Sequence, residues 1–116
     1  MYLKQYQETA LEVRPSCVNY DVLPKGIVGK LAAGLVNIQP GGTSYSDPHT
    51  EWRQVFFILS GSGKLLLSDP KGVTSEVRIL ADTVVEIPYD TTHTVIADPG
   101  VAMRYLYVND YSKPVK

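Results

Sequence analysis

Cysteine and histidine are both scarce in this sequence of 116 residues, which contains one cysteine, Cys17, and two histidines, His49 and His93. A single cysteine cannot close an intramolecular disulfide, and it cannot by itself build a thiolate zinc site. The cysteine content therefore excludes a disulfide-stapled scaffold, and we expect a reducing, cytoplasmic location.

An excess of charge of either sign is also missing. The 11 lysines and arginines nearly balance the 12 aspartates and glutamates, and the formal net charge is -1. Such a chain has no field strong enough to gather phosphates or an anionic lipid surface. We therefore expect no nucleic-acid partner.

Long apolar segments are absent as well. No stretch approaches the roughly 18 consecutive apolar residues that a membrane-spanning helix needs. Residues 1–5 lack the basic-then-apolar order of a signal peptide. The sequence thus predicts a protein that is neither exported nor associated with a membrane.

Helical periodicity is weak beyond the first dozen residues, whereas short apolar runs recur between Gly, Pro, Asp and Ser. This punctuation is typical of an all-β fold, either a small sandwich or a barrel. It predicts eight strands, at residues 18–23, 27–39, 54–60, 63–68, 75–80, 83–87, 93–97 and 101–108.

The glycine-rich segment at residues 60–63 predicts a tight hairpin, because glycine adopts positive φ at little cost. The flanking runs at residues 55–59 and 65–67 are apolar on both faces of their strands. One small domain cannot cover both faces of every strand, so we expect a homodimer in which a second subunit supplies the cover.

The N-terminal segment carries four apolar residues spaced as one face of a helix, and Pro15 would end that helix: Leu3, Tyr6, Ala10 and Val13. A strand that is exchanged with a partner subunit would show almost the same pattern of apolar residues. The length fits one domain. We expect an N-terminal arm at residues 1–17, a barrel at residues 18–108 and a tail at residues 109–116.

Two stretches surround the two histidines. Residues 40–63 combine a glycine-rich turn, His49 and, further on, Gly61; residues 82–93 form a short apolar run followed by a proline and then His93. The first stretch resembles the first cupin motif, in which a Gly-rich turn, H-x-H, three or four residues, Glu, six residues and Gly follow one another. The second resembles the P-x-G-x-x-H motif. The sequence therefore resembles the cupin superfamily from about residue 34 to residue 108.

Several structural features follow from this resemblance. Cupins fold as a double-stranded antiparallel β-helix of the jelly-roll type, the cupin barrel. The resemblance further implies a metal or ligand pocket inside the barrel mouth and frequent homodimers. We therefore expect a pocket for a small-molecule ligand here.

The resemblance also implies a ligand set, because cupins with a full site hold a divalent metal with three His and one Glu. Counting back seven positions from Gly61 puts Gln54 in the place of the Glu, and the four-residue spacer puts His49 and Asp47 in the first two His positions. His93 supplies the ligand of the second motif. This mixed nitrogen and oxygen set suits Fe, Mn, Ni or Zn.

Two other registers remain open. In one, His49 and Glu51 occupy the two His positions, and with His93 they make two His and one carboxylate on a single ion, since residues i and i+2 share one strand face. In the other, Pro48 and Thr50 occupy those positions, and the pocket holds no metal. His49 is also compatible with an exposed loop histidine, and His93 with a core histidine bound to a backbone carbonyl.

Two further residues are candidates for binding substrate together with His93. Arg53 has the geometry to hold a substrate carboxylate in bidentate fashion, although it also fits a rim position. Tyr105 alternates with Leu106 in the last predicted strand and offers an apolar ring with a polar tip. That chemistry suits a small-ligand pocket as well as a wet interface.

Three functions are compatible with these residues. The first is a metal-dependent enzyme of dioxygenase, isomerase or lyase type that acts on a small oxygenated metabolite, with His49 or Glu51 moving protons. The second is a metal-free cupin that binds a sugar or small effector without catalysis. The third is a metal-free isomerase or cyclase that uses His93 and Tyr105 as acid and base.

Overall fold

The computed structural model describes residues 10–44, 47–49 and 52–112, with the backbone alone at residues 10–12 and 47–49. This part of the chain is all-β, and no helix in it is long and apolar enough to cross a membrane. Its strands are β1 (Ala10–Arg14), β2 (Cys17–Val28), β3 (Leu31–Ile38), β4 (Asp47–His49), β5 (Arg53–Ser60), β6 (Ser62–Ser68), β7 (Thr74–Leu80), β8 (Val84–Ile87), β9 (Thr91–Ala97) and β10 (Met103–Asp110).

The strands form two antiparallel sheets. One has six strands in the order β1-β2-β3-β10-β5-β8, and the other has four in the order β4-β9-β6-β7. The core lies between them, where Phe56 and Ile58 of β5 are buried together with Leu65 and Val95 of the second sheet. The sheets have no strand in common, so the molecule is a jelly-roll sandwich whose two layers are not closed into a barrel. The predicted all-β, double-stranded antiparallel fold is confirmed.

All eight predicted strands are present. They correspond to β2, β3 and the six strands from β5 to β10. The boundary between the first two lies later than predicted, because the chain turns at Gly29 and Lys30, with a φ of 51° at Gly29. The three-residue strand β4, which contains Pro48, was not predicted from the sequence. A proline seldom occurs within a strand, and three residues show no periodicity.

The predicted N-terminal helix is wrong where the structure describes it. Ala10 and Val13 lie in β1, which pairs antiparallel with β2. Leu3 and Tyr6 lie outside the described residues. The i, i+3 spacing was outweighed by the hydrogen bonds that β2 offers at the edge of the sheet.

The hairpin between β5 and β6 turns at Gly61, as the glycine-rich segment predicts. Its φ is 88°, and a Cβ at this position would collide with the backbone carbonyl of Ala102. Only glycine satisfies both conditions. This close approach ties the hairpin to the start of β10 and thereby sets the register of β5, which carries part of the candidate site.

Candidate functional site

The pairing of β4 with β9 brings the two sequence motifs together. In this register Asp47 lies opposite His93, and His49 lies opposite Thr91. The side chains of Asp47 and His49 are outside the described part of the structure, and so is Glu51 as a whole. At the level of the backbone, the first motif therefore runs beside the histidine of the second.

The pairing of β5 with β10 creates a buried amide pair. Gln54 lies opposite Asn109, and Gln54 Nε2 donates a hydrogen bond of 2.5 Å to Asn109 Oδ1. Only 7% of Gln54 is exposed. Its other polar atom, Oε1, is buried and accepts no hydrogen bond from any described residue. The hydrogen bond to Asn109 thus fixes the orientation of an amide whose oxygen remains available.

Both motifs contribute to the wall of one cavity of about 110 Å³ between the sheets. The described residues that line it are Cys17, Asn19, Val36, Ser44, Trp52, Gln54, His93, Tyr105, Tyr107 and Asn109. None of these side chains is a lysine, arginine, aspartate or glutamate. The described walls therefore offer amides, hydroxyls, an imidazole and aromatic rings, which favour a neutral, oxygen-bearing ligand.

Aromatic packing holds the imidazole in place. The ring of Phe56 meets His93 edge-on, with centroids 5.1 Å apart, and it also packs against Tyr105 at 4.7 Å. Phe56 is fully buried, and His93 and Tyr105 are nearly so. Because β5, β9 and β10 each contribute one ring, a movement of His93 would disturb packing in both sheets.

The hydroxyl of Tyr107, another cavity residue, is held by a hydrogen bond. Tyr107 Oη donates a hydrogen bond of 2.9 Å to Asn19 Oδ1 of β2. The ring of Tyr107 passes over Gly34, where a Cβ would overlap it. The absence of a side chain at Gly34 therefore lets the ring of Tyr107 pack directly against β3.

The structure distributes the predicted site residues unevenly. Gln54, His93 and Tyr105 line the cavity. Arg53 does not, because it precedes Gln54 and points to the opposite face of β5, where its side chain is 50% exposed and its Nε donates to Asp110 at 3.1 Å. That hydrogen bond raises the pKa of Arg53. Arg53 therefore lies outside the lining of this cavity, and its predicted role in binding substrate stays a prediction.

Several cavity residues were not predicted from the sequence, above all Asn109 and Asn19. A signal for Asn109 was present, because it continues the i, i+2 series that begins at Tyr105 and Tyr107 on the same face of β10. Asn19 had no comparable signal, since β2 is partly buried along both of its faces. Its place in the site depends on pairing with β3.

Two cavity side chains, Gln54 and His93, carry atoms of the kind that bind metal ions. Among the side chains that the structure describes, no three His, Cys, Asp or Glu residues form a cluster. Gln54 and His93 nevertheless line one cavity, and the backbone register places Asp47 opposite His93 and His49 opposite Thr91. An amide oxygen without a hydrogen-bond donor and an imidazole are both ligands that Fe, Mn, Ni or Zn accept. The two donors that the structure describes, Gln54 Oε1 and the imidazole of His93, are therefore of a kind that fits a divalent metal.

No protein-family model matches the sequence, and no curated protein sequence matches it. Solved structures do. The polyketide cyclase RemF from Streptomyces resistomycificus superposes with a TM-score of 0.72 at 22% identity, over 98% of this chain and 83% of RemF. The cupin domain of Schizosaccharomyces pombe Cnp3 gives a TM-score of 0.72 at 18% identity, over 88% of this chain and 69% of that domain.

A third match is the oxalate decarboxylase of Lactobacillus farciminis, solved as a formate complex. It gives a TM-score of 0.78 at 18% identity, over 88% of this chain but only 30% of the decarboxylase chain. This chain thus corresponds to one part of that larger protein. The resemblance of the two histidine-bearing stretches to cupin motifs and the superposition of the whole sandwich agree: the chain has the cupin fold.

Proposed function

We propose that this chain binds a small oxygenated metabolite in the cavity between its sheets and acts on it as a metal-dependent enzyme. The observation that carries the proposal is Gln54 Oε1, a buried acceptor without a donor among the described residues. Leaving such an atom unsatisfied costs about 1–3 kcal/mol. A metal ion or a ligand hydroxyl is the natural complement of this atom.

The metal ligands in this proposal are Asp47, His49, Gln54 and His93. The bound ion would supply Lewis acidity towards a carbonyl or enolate oxygen of the metabolite. Asn109 has a positioning role, because the hydrogen bond from Gln54 Nε2 to Asn109 Oδ1 fixes the orientation of the Gln54 amide. Loss of Asn109 would free the amide to rotate.

The other polar groups of the cavity are assigned to the metabolite. The hydroxyl of Tyr105 offers a hydrogen bond to an oxygen of the metabolite. The hydroxyl of Tyr107 donates its proton to Asn19 and so accepts a hydrogen bond from a metabolite hydroxyl, and the aromatic walls exclude water from the reacting centre. His49 or Glu51 is proposed to move protons, as the sequence suggests. Two of the matched proteins are named for oxygen-rich compounds, a polyketide and oxalate, which supports this class of substrate.

A metal-free cupin that binds a sugar or small effector is the alternative. The neutral lining of amides and aromatic rings favours it, because such groups recognise hydroxyls and ring faces. In that case Gln54 Oε1 accepts a hydrogen bond from a ligand hydroxyl. The two proposals share the cavity and differ in whether an ion is required.

Elemental analysis of protein purified without a histidine tag distinguishes them. The enzyme proposal expects about one divalent metal per chain, and it expects His93→Ala and Gln54→Leu to lower that content severalfold. Arg53→Gln is the matched control, because its neighbour Gln54 faces the cavity while Arg53 faces outward. It should retain the wild-type content.

Wild-type protein that stays metal-free after incubation with Fe, Mn, Ni and Zn salts would overturn the metal proposal. Binding of a sugar or effector by calorimetry, weakened in His93→Ala by about 1–3 kcal/mol, would then support the alternative. Circular dichroism of each variant shows whether a loss of metal reflects a loss of fold. A metal content unchanged in Gln54→Leu would remove Gln54 from the ligand set.

A further inference from the structure

A second recess lies on the outward face of the six-stranded sheet. Asn37 of β3 and Arg104 of β10 each lie between two core residues of their strand, so their side chains face outward. They line a groove of about 440 Å³, which shares only Cys17 with the described lining of the cavity between the sheets. The groove is therefore a separate site on the opposite side of the same two strands.

One cation lies in this groove. Arg104 is the only charged residue among the described residues that line it. Its Nε atom is buried and has no hydrogen-bond partner in the described part of the chain. The two Nη atoms have no partner there either, but unlike Nε they are open to solvent. The buried stem thus holds the guanidinium in place while its outer edge stays unpaired, and little side-chain entropy is lost when an anion binds to that edge.

Neutral hydrogen-bond donors flank the guanidinium. Asn37 lies opposite Arg104 on one side, and Ser60 of β5 lies opposite it on the other. The Cα atoms of such antiparallel partners are about 4.5–5.5 Å apart. Asn37 Oδ1 is buried and accepts no hydrogen bond from a described residue, so Nδ2 is the amide atom left open to a ligand. Ser60 is exposed and adds a hydroxyl, and three neighbouring strands therefore present a row of donors.

Most of the other side chains in the described lining of the groove are apolar: Val18, Ile38, Pro40, Ala102 and Met103. That lining contains no aspartate or glutamate. An unpaired guanidinium beside apolar side chains is complementary to an anion with an apolar body. The single charge of Arg104 balances the single charge of a carboxylate. A phosphate monoester carries about -1.5 to -2 at neutral pH, so part of its charge would remain unbalanced.

We propose that this groove binds a small monocarboxylic acid with an apolar body. The carboxylate accepts two parallel hydrogen bonds from the guanidinium of Arg104, and Asn37 Nδ2 or the Ser60 hydroxyl donates a third. The apolar body packs against the apolar walls. The volume of about 440 Å³ lies within the usual range of small-molecule sites. This site is independent of the metabolite and of the metal proposed for the cavity between the sheets.

An NMR chemical-shift titration with hexanoate at neutral pH tests the proposal. Hexanol is the neutral analogue of this acid, and hexyl phosphate is the analogue with more than one negative charge. We expect saturable binding of hexanoate, and binding at least about tenfold weaker for each of the other two compounds.

Three variants locate the site. Arg104→Gln removes the charge, and Asn37→Asp places a carboxylate of almost the same size opposite Arg104, where it competes with the ligand. Each should weaken the binding of hexanoate about tenfold or more. Arg78→Gln is the matched control, because it removes the same charge from the other sheet, where Arg78 pairs with Asp98; it should leave the affinity unchanged. Circular dichroism shows whether each variant is folded.

Wild-type protein that shows no saturation up to about 10 mM hexanoate would overturn the proposal. Wild-type affinity in a folded Arg104→Gln or Asn37→Asp variant would do the same. A loss of affinity in Arg78→Gln as large as in Arg104→Gln would also contradict it, because the binding would then depend on overall charge and not on the groove. Hexanol or hexyl phosphate bound as tightly as hexanoate would refute the assignment of a monocarboxylate.

Discussion

Replacement of Gly34 by alanine perturbs the cavity wall without touching a polar group. The backbone of Gly34 does not have a positive φ, so alanine is acceptable there on conformational grounds alone. Its Cβ, however, would lie 2.6 Å from Tyr107 Cε2 and closer still to Cζ and Oη. The tyrosine ring would have to move, and its hydrogen bond to Asn19 would be lost.

The magnitude follows from three terms. Overpacking of a buried position costs about 1–3 kcal/mol, and loss of the hydrogen bond costs about 1 kcal/mol. Replacement of a glycine by alanine stabilises the protein by about 0.4–1 kcal/mol, because it reduces the conformational entropy of the unfolded chain. We therefore expect a net destabilisation of about 1–3.5 kcal/mol for Gly34→Ala, which is measured by urea denaturation followed by circular dichroism.

A double-mutant cycle isolates the steric cause. In a Tyr107→Leu background the ring is gone, so Gly34→Ala should cost less than about 0.5 kcal/mol there. An equal cost in both backgrounds would refute the reasoning, since the damage would then come from the backbone of β3 and not from the tyrosine. A ligand of the cavity should also bind more weakly to the single variant, because Tyr107 and Asn19 line it.

Two further predictions concern the turns. Gly61→Ala should lower the free energy of unfolding, measured by urea denaturation, by at least about 3 kcal/mol, because the strain of a positive φ is added to a collision with the backbone of Ala102. Gly72→Ala introduces the strain alone, since nothing lies within 4 Å of its Cβ, and should cost only about 1–2 kcal/mol. Equal costs would show that the collision is relieved. Hydrogen bonds from Arg78, above all, hold the pKa of Asp98 below its ordinary value of 3.8. The stability that this carboxylate contributes is therefore present above that value and lost as the pH falls through the lowered pKa, and thermal denaturation at successive pH values should show a shallower acid decline in Asp98→Asn. A decline identical to that of the wild type would contradict this assignment.

Local sequence determined the positions of eight strands and of the hairpin at Gly61. Alternation of apolar residues with a period of two, interrupted by glycine and proline, is a property of neighbouring residues. It does not depend on which strands pair with each other. Gln54 and His93 were indicated by the resemblance of two short stretches to the cupin motifs. These features could be predicted because each depends on a few adjacent side chains.

Only the tertiary structure decided which residues face each other. Asn109 meets Gln54 across 55 positions, and β4, too short to show a period, is defined by its pairing with β9. Ala10 and Val13 have a helical spacing but lie in a strand, because β2 supplies hydrogen bonds there. Strand register depends on such non-local hydrogen bonds and on the packing of two sheets, and a one-residue shift would move every side chain to the other face. Strand register decides which residues lie together in the cavity. The sequence therefore indicated some of the cavity residues but did not specify which of them are neighbours.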